Sequence, residues 1–240
     1  ESAGLTNGRH AHGIWPDAAS GQARDEVQPV RDLPGWVTGG AERPIARSLP
    51  LSPSGLGGAK ALAGEGAGGD GLARGTVLHL LLEHLPGAAP AARPALARRL
   101  MQGGGIGNPA DLDAIIALAL DLVARADLAW IWAADSLAEV ALAAPLPALG
   151  GRVMQGVIDR LIVTDAHVTV VDYKTGRRVP ADEAAVPEYH KAQMAAYAAV
   201  MEGIFPGREV RAALLYTAGP TLITLSAETL ATWRPGRIHP

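Results

Sequence analysis

Apolar residues recur at helical spacing through Leu72 to Leu85, Ala91 to Met101 and Pro109 to Ala134, which read as three helices, with Gly103-Gly104-Gly105 as a stop after the second. After Ser136 the period shortens. Glu139 to Ala144, Val153 to Thr164 and Val168 to Tyr173 are rich in β-branched residues and read as strands, the last two joined by a tight turn at Asp165-Ala166. Pro187 to Met201 returns to the helical pattern, with proline at its first turn and Gly203 just beyond its end. Val210 to Tyr216 and Thr221 to Leu225 form a further strand pair around Gly219-Pro220. Ser226 then caps a last short helix, with Glu228 close behind. The order is helices, three strands, helix, strands, without an internal repeat, and it predicts an α/β fold: a central mixed sheet flanked by helices, with an extra helical region on its N-terminal side.

Residues 1–52 show no sustained period and carry breaks such as Trp15-Pro16-Asp17 and Leu33-Pro34-Gly35-Trp36. They read as an irregular tail or a linker from a preceding domain, leaving residues 53–240 as the main domain. Ser52-Pro53-Ser54 offers a short helix start, broken again from Gly64 to Gly69. A first residue of Glu rather than Met suits a piece of something larger.

The chain has 48% apolar residues, enough for one sizeable core in 240 residues. No apolar run reaches bilayer length and no signal-peptide pattern opens the chain, so the expectation is an intracellular protein. Without any cysteine, thiolate zinc sites, iron–sulfur clusters and cysteine nucleophiles are excluded together. Any metal must sit on oxygen or imidazole. A net charge of −3 argues against a module that binds nucleic acid through its own basic surface. Lysine is scarce: only Lys60, Lys174 and Lys191 stand among 21 basic residues.

One lysine stands beside two acids. If the loop at Asp165-Ala166 has even length, Asp159 lies directly opposite Asp172 across an antiparallel pair, with Cβ atoms roughly 4.5–5.5 Å apart. Lys174, two residues on, projects from the same face. Facing carboxylates repel unless a proton or a divalent cation sits between them, and a hard cation such as Mg²⁺ suits oxygen ligands. A lysine on that face can stabilise charge developing on a phosphate. The competing reading is an ordinary pair of exposed ion pairs, Asp159 with Arg160 and Asp172 with Lys174, worth little energetically.

Gly156-x-x-Asp159-Arg160 followed by Val171-Asp172-Tyr173-Lys174-Thr175-Gly176 resembles the nuclease motif of the RecB-like branch of the PD-(D/E)XK superfamily. Gln193-x-x-x-Tyr197 resembles that branch's QxxxY signature. Gly75-Thr76-Val77-Leu78-His79 resembles its upstream helix bearing a metal-binding histidine. Within the branch, Pro53 to Lys60, Arg74-Gly75-x-x-x-His79 and Leu85-Pro86 are most similar to the C-terminal nuclease domain of the bacterial AddA helicase-nucleases.

The resemblance implies a restriction-endonuclease-like core and a Mg²⁺-dependent deoxyribonuclease, Mn²⁺ substituting, acting on single-stranded DNA during double-strand break processing. It implies His79, Asp159, Asp172 and the carbonyl of Tyr173 as metal ligands, and Lys174 as the catalytic lysine. Its implied partners are a helicase domain of the same longer chain and an AddB-like subunit, in the bacterial cytoplasm near the nucleoid, with no membrane. Gly55 to Lys60 lacks Walker A spacing, so the motor lies elsewhere.

Several residues keep two readings. His79 sits among Leu78, Leu80, Leu81 and Leu82, where a structural histidine is the ordinary case. Gln193, Tyr197 and Arg160 either brace the site and touch the DNA backbone or, for the first two, form a helix edge with Tyr189. Glu139 is a further acid ligand or a strand-end charge. Trp130 and Trp132 stack on bases or pack the core. Two other functions stay open: a catalytically silent module for DNA holding or partner docking, and a stand-alone RecB-like exonuclease.

Overall fold

A computed structural model describes residues 50–53, 69–102 and 109–236. The irregular segment read over residues 1–52 lies outside these except for 50–52, as do the breaks at Gly64 to Gly68 and Gly103-Gly104-Gly105. Helices α1 (Gly69–His84), α2 (Arg93–Met101) and α3 (Pro109–Ala124) lead into a 3₁₀ segment, Ala126–Trp132. Strands β1 (Leu137–Leu146), β2 (Arg152–Val163) and β3 (His167–Lys174) follow. Helix α4 (Glu188–Ile204), β4 (Glu209–Tyr216), β5 (Thr221–Leu225) and α5 (Ala227–Thr232) complete the described chain. Among these residues no helix is long and apolar enough to cross a membrane.

The expected element order holds, with two differences. The third helix ends ten residues before Ala134 because Arg125 turns extended, its guanidinium held by Asp127 at 2.8 Å, and the chain continues as 3₁₀. That turn still buries Leu128, Ile131 and Trp132, so the hydrophobic period runs on through it. Gly203 lies inside the last turn of α4 rather than beyond it; the helix stops at Phe205, whose N–H caps Met201.

The five strands lie in the order β1-β2-β3-β4-β5. All neighbours are antiparallel except β3 and β4, which are parallel and joined through α4. Helices cover both faces. Val171, Tyr173, Ala213 and Leu215 pack with α1, α2 and α3, whereas Val170, Ala212, Leu214 and Tyr216 pack with α4. Central strands buried on both sides explain why their sequences read as continuous apolar runs. Leu81, Leu82 and Leu85 of the α1 end are fully buried, each contributing roughly 1.5–3 kcal/mol by transfer from water. This anchors the helix that carries His79.

Candidate active site

The β2–β3 register is the one the even loop requires: Arg160 pairs with Val171, Leu161 with Val170 and Val163 with Val168. Regular pairing stops there. At the next position Asp159 stands opposite Asp172, and the Tyr173 N–H donates to Asp159 Oδ2 at 2.6 Å instead of to a backbone carbonyl. The strands part at the two acids. Leu51 takes the edge of β2 that β3 has left, with its N–H on the Val153 carbonyl and its carbonyl accepting from the Gln155 N–H, both at 2.8 Å.

A third acid joins the row. Ala138 pairs with Arg160 and Val140 with Ile158, so Glu139 falls opposite Asp159 on its other side. Its φ of 47° is the one left-handed backbone among described non-glycine residues. Such a conformation costs a side chain roughly 1–2 kcal/mol, strain that marks a position held by its surroundings. The glutamate that the sequence left evenly divided between ligand and strand-end charge therefore sits in the site. Gly150-Gly151, both at positive φ, make the β1–β2 turn and were the signal that could have set this register.

His79 arrives from α1. Its Nδ1 is 3.3 Å from Asp159 Oδ1 and 3.8 Å from Glu139 Oε1, and its ring meets Tyr173 edge-on at 5.3 Å. The helix comes this close because Gly75 has no side chain; a Cβ there would stand 3.0 Å from Thr175 Oγ1. His79, Glu139 and Asp159 each present a ligand atom within 4.8 Å of the others.

Lys174 and Gln193 close the other side. Lys174 Nζ lies 2.7 Å from Asp172 Oδ2 and donates to Gln193 Oε1 at 2.7 Å, while Gln193 Nε2 donates to Asp172 Oδ1 at 2.8 Å. Gln193 thus fixes both groups from α4. One turn on, Tyr197 donates to the Val157 carbonyl at 2.6 Å and ties that helix to β2. Gly156 makes room, since a Cβ there would meet Pro53 at 3.1 Å and the Tyr197 hydroxyl at 3.3 Å. Arg160 is buried, its guanidinium spent on protein atoms, so it braces rather than presenting a surface charge. Trp132 is buried, donating to the Leu122 carbonyl, and Trp130 is exposed.

Exposed ion pairs do not describe this arrangement. Asp159 is 8% exposed, Arg160 4% and Asp172 5%. Burial pushes the Asp172 carboxyl above the usual range, opposed by the Lys174 ammonium and reinforced by Asp159. Burial and the Asp159 charge likewise raise Glu139. Burial disfavours charge on His79, yet the hydrogen bond to Asp159 and the charges of Asp159, Asp172 and Glu139 outweigh it and raise its pKa.

Two carboxylate oxygens, Glu139 Oε1 and Asp172 Oδ2, are buried without a hydrogen-bond donor. Lys174 neutralises the latter by charge but not in hydrogen-bonding line. The orphaned Glu139 oxygen, with His79 and Asp159, is a donor set that fits a divalent cation, whereas Asp172 stands outside that group and faces Lys174.

A family model, described as the PD-(D/E)XK nuclease superfamily, matches residues 57–233. The chain belongs to that superfamily. The solved structure titled "Crystal structure of SSO0001" aligns over 66% of this chain and 82% of that chain, at 16% identity and a TM-score of 0.29. No curated protein gives a significant match.

Proposed function

We propose that this chain is the nuclease part of a RecB-like, AddA-type helicase-nuclease, a divalent-metal-dependent enzyme that hydrolyses phosphodiester bonds of unwound single-stranded DNA at double-strand break ends. The observation that carries the reading is the row Glu139, Asp159, Asp172 crossing three strands, with His79 at one end and Lys174 at the other. A histidine delivered from a separate helix and a Gln193/Tyr197 pair bracing the row are the features that favour the RecB-like branch. A chain of net charge −3 depends on a motor domain of the same longer protein and an AddB-like subunit to deliver the strand.

Asp159, His79 and Glu139 would hold the cation, with Asp172 and the carbonyl of Tyr173 assigned to it by the family resemblance. When bound, Mg²⁺, or Mn²⁺ in its place, would supply Lewis-acid polarisation of the scissile phosphate. Lys174, held by Gln193, puts its ammonium beside Asp172, where it stabilises charge developing on the phosphate. Gln193 keeps the Asp172 carboxylate and the lysine in one orientation as that charge moves.

The test is degradation of end-labelled single-stranded DNA with Mg²⁺ or Mn²⁺, comparing the wild type with Asp172→Ala. Metal-dependent cleavage lost in the variant is expected. A wild-type chain that retains DNA without cutting it under either metal would instead be a holding or docking module. Equal cleavage of duplex and single strand would remove the strand preference.

A further inference from the structure

The C-terminal end of α1 runs into Leu85-Pro86. Proline has no N–H, so the Leu82 carbonyl has no donor four residues ahead, and the Leu85 N–H is already given to Leu81 at 2.9 Å. Arg160 supplies what is missing: its Nη2 donates to the Leu82 carbonyl at 2.6 Å. The same guanidinium donates from Nε to the Tyr173 hydroxyl at 3.3 Å, lies 3.4 Å from Ser136 Oγ through Nη1, and rests over the Trp132 ring at 5.3 Å. Arg160 is 4% exposed, and among the described residues no carboxylate lies within ion-pair distance of it.

A buried cation with no carboxylate in direct contact, its charge felt only at a distance by Glu139, is an expensive way to satisfy one carbonyl. Its contacts say what else it does. Leu82 lies one turn beyond His79 on α1. Tyr173 presents its ring to His79 and its backbone N–H to Asp159 Oδ2. Asp159 precedes Arg160 in the chain. The Leu82 contact thus ends on the helix that carries His79, the Tyr173 contact on a residue that touches both His79 and Asp159, and the guanidinium itself grows from the residue next to Asp159. The planar fork spans them at fixed angles in a way a lysine cannot.

We infer that Arg160 is a positioning residue that sets His79 against Asp159, and that Pro86 exists in this frame to leave the Leu82 carbonyl free for it. The inference rests on the metal-site reading above. Groups that orient metal ligands typically contribute about 10- to 100-fold in metal affinity. Arg160 acts on a ligand through the helix that carries it and through the ring it packs on.

Mn²⁺ titration of the full chain by calorimetry, with unfolding followed in parallel, tests this. Arg160→Met should bind Mn²⁺ about 10- to 100-fold more weakly while still folded. Adding Pro86→Ala, which returns an N–H to the helix end, should recover part of that affinity, whereas Pro86→Ala alone, whose N–H competes with Arg160 for the Leu82 carbonyl, should weaken binding. Tyr173→Phe, which removes only the hydroxyl, should weaken binding in the same direction and keeps the test decisive if Arg160→Met does not fold. Leu225→Ala, in the β5 core and remote from these contacts, should lower the unfolding midpoint without moving Mn²⁺ affinity.

Wild-type affinity in folded Arg160→Met and in Tyr173→Phe would overturn the inference and leave the metal site standing, as would an equal loss in Leu225→Ala. A wild-type chain that binds no Mn²⁺ would overturn both.

Discussion

Lys174→Met separates the two jobs that the lysine performs. In the folded chain its ammonium is 2.7 Å from a carboxylate that is 7% exposed, and its removal leaves Asp172 held by the Gln193 amide alone. Breaking a buried pair in this way typically destabilises by roughly 3–5 kcal/mol, because the remaining charge stays desolvated. The metal-free variant should therefore unfold at clearly lower urea concentration. Added Mn²⁺ should offset part of this. The lysine no longer competes for Asp172 Oδ2, so Mn²⁺ should bind the variant at least as tightly as the wild type. At a concentration 100 times Kd, binding contributes about 2.7 kcal/mol.

Cleavage should not follow stability. Losing one electrostatic contact to the transition state typically reduces rate about 100- to 1000-fold, and saturating metal cannot restore it. Urea unfolding with and without Mn²⁺, alongside cleavage of labelled single-stranded DNA, reads both effects. Cleavage at the wild-type rate would make Lys174 a structural counter-charge only. Mn²⁺ affinity reduced as far as in Asp172→Ala would refute the picture of a lysine that competes with the cation.

Tyr197→Phe removes the donor to the Val157 carbonyl and should destabilise by about 1–3 kcal/mol in urea unfolding, without abolishing Mn²⁺ binding. Gly156→Val places atoms against Pro53 and Tyr197 and should destabilise by roughly 1–3 kcal/mol, read by the same unfolding midpoint. His190 gives a pH dependence. Burial, helped by the Lys174 charge, holds its pKa down at about 3 in the folded chain, with Nδ1 3.0 Å from the Tyr216 hydroxyl. An unfolded histidine titrates near 6.5, so the unfolded state gains its proton first as pH falls. This contribution to stability is complete above pH 6.5 and is lost progressively towards pH 3, reaching at most about 2 kcal/mol at pH 5. Unfolding midpoints at pH 7.5 and 5 should differ less in His190→Gln than in the wild type; an equal difference would show that His190 titrates normally.

Local signals made most of the fold legible. β3 is buried without a break from Val168 to Tyr173 and β4 from Ala212 to Tyr216 because helices cover both faces, and the parallel β3–β4 pair with α4 between them fits that. Ser226 caps α5 as its position suggests, accepting from the Thr229 N–H at 3.1 Å. The end of α3 was not legible, because a 3₁₀ turn places Leu128, Ile131 and Trp132 on the buried side just as a continuing helix would. Over seven residues the two periods cannot be told apart.

The site was legible where it is local and obscure where it depends on register between distant strands. Asp172 and Lys174 are two residues apart, and Asp159 is set against them by a short turn. Glu139 enters through the β1–β2 pairing, which begins at Gly150-Gly151 and must hold over seven pairs to reach Asp159. A one-residue slip would have put that carboxylate on the other face. His79 was marked by its motif alone, since leucines on both sides look like core and are core.

Burial sets Asp159 and Asp172 apart from exposed ion pairs. An exposed ion pair contributes little and explains nothing about its own position. Two buried carboxylates beside a half-buried third, with a raised Asp172 and a raised Glu139, lower the stability of the fold, and apolar residues of similar volume would do better there. The left-handed backbone at Glu139 adds to that strain. Lys174 offsets one charge and His79 a part of another, and His79, Glu139 and Asp159 remain the group that could hold a cation there.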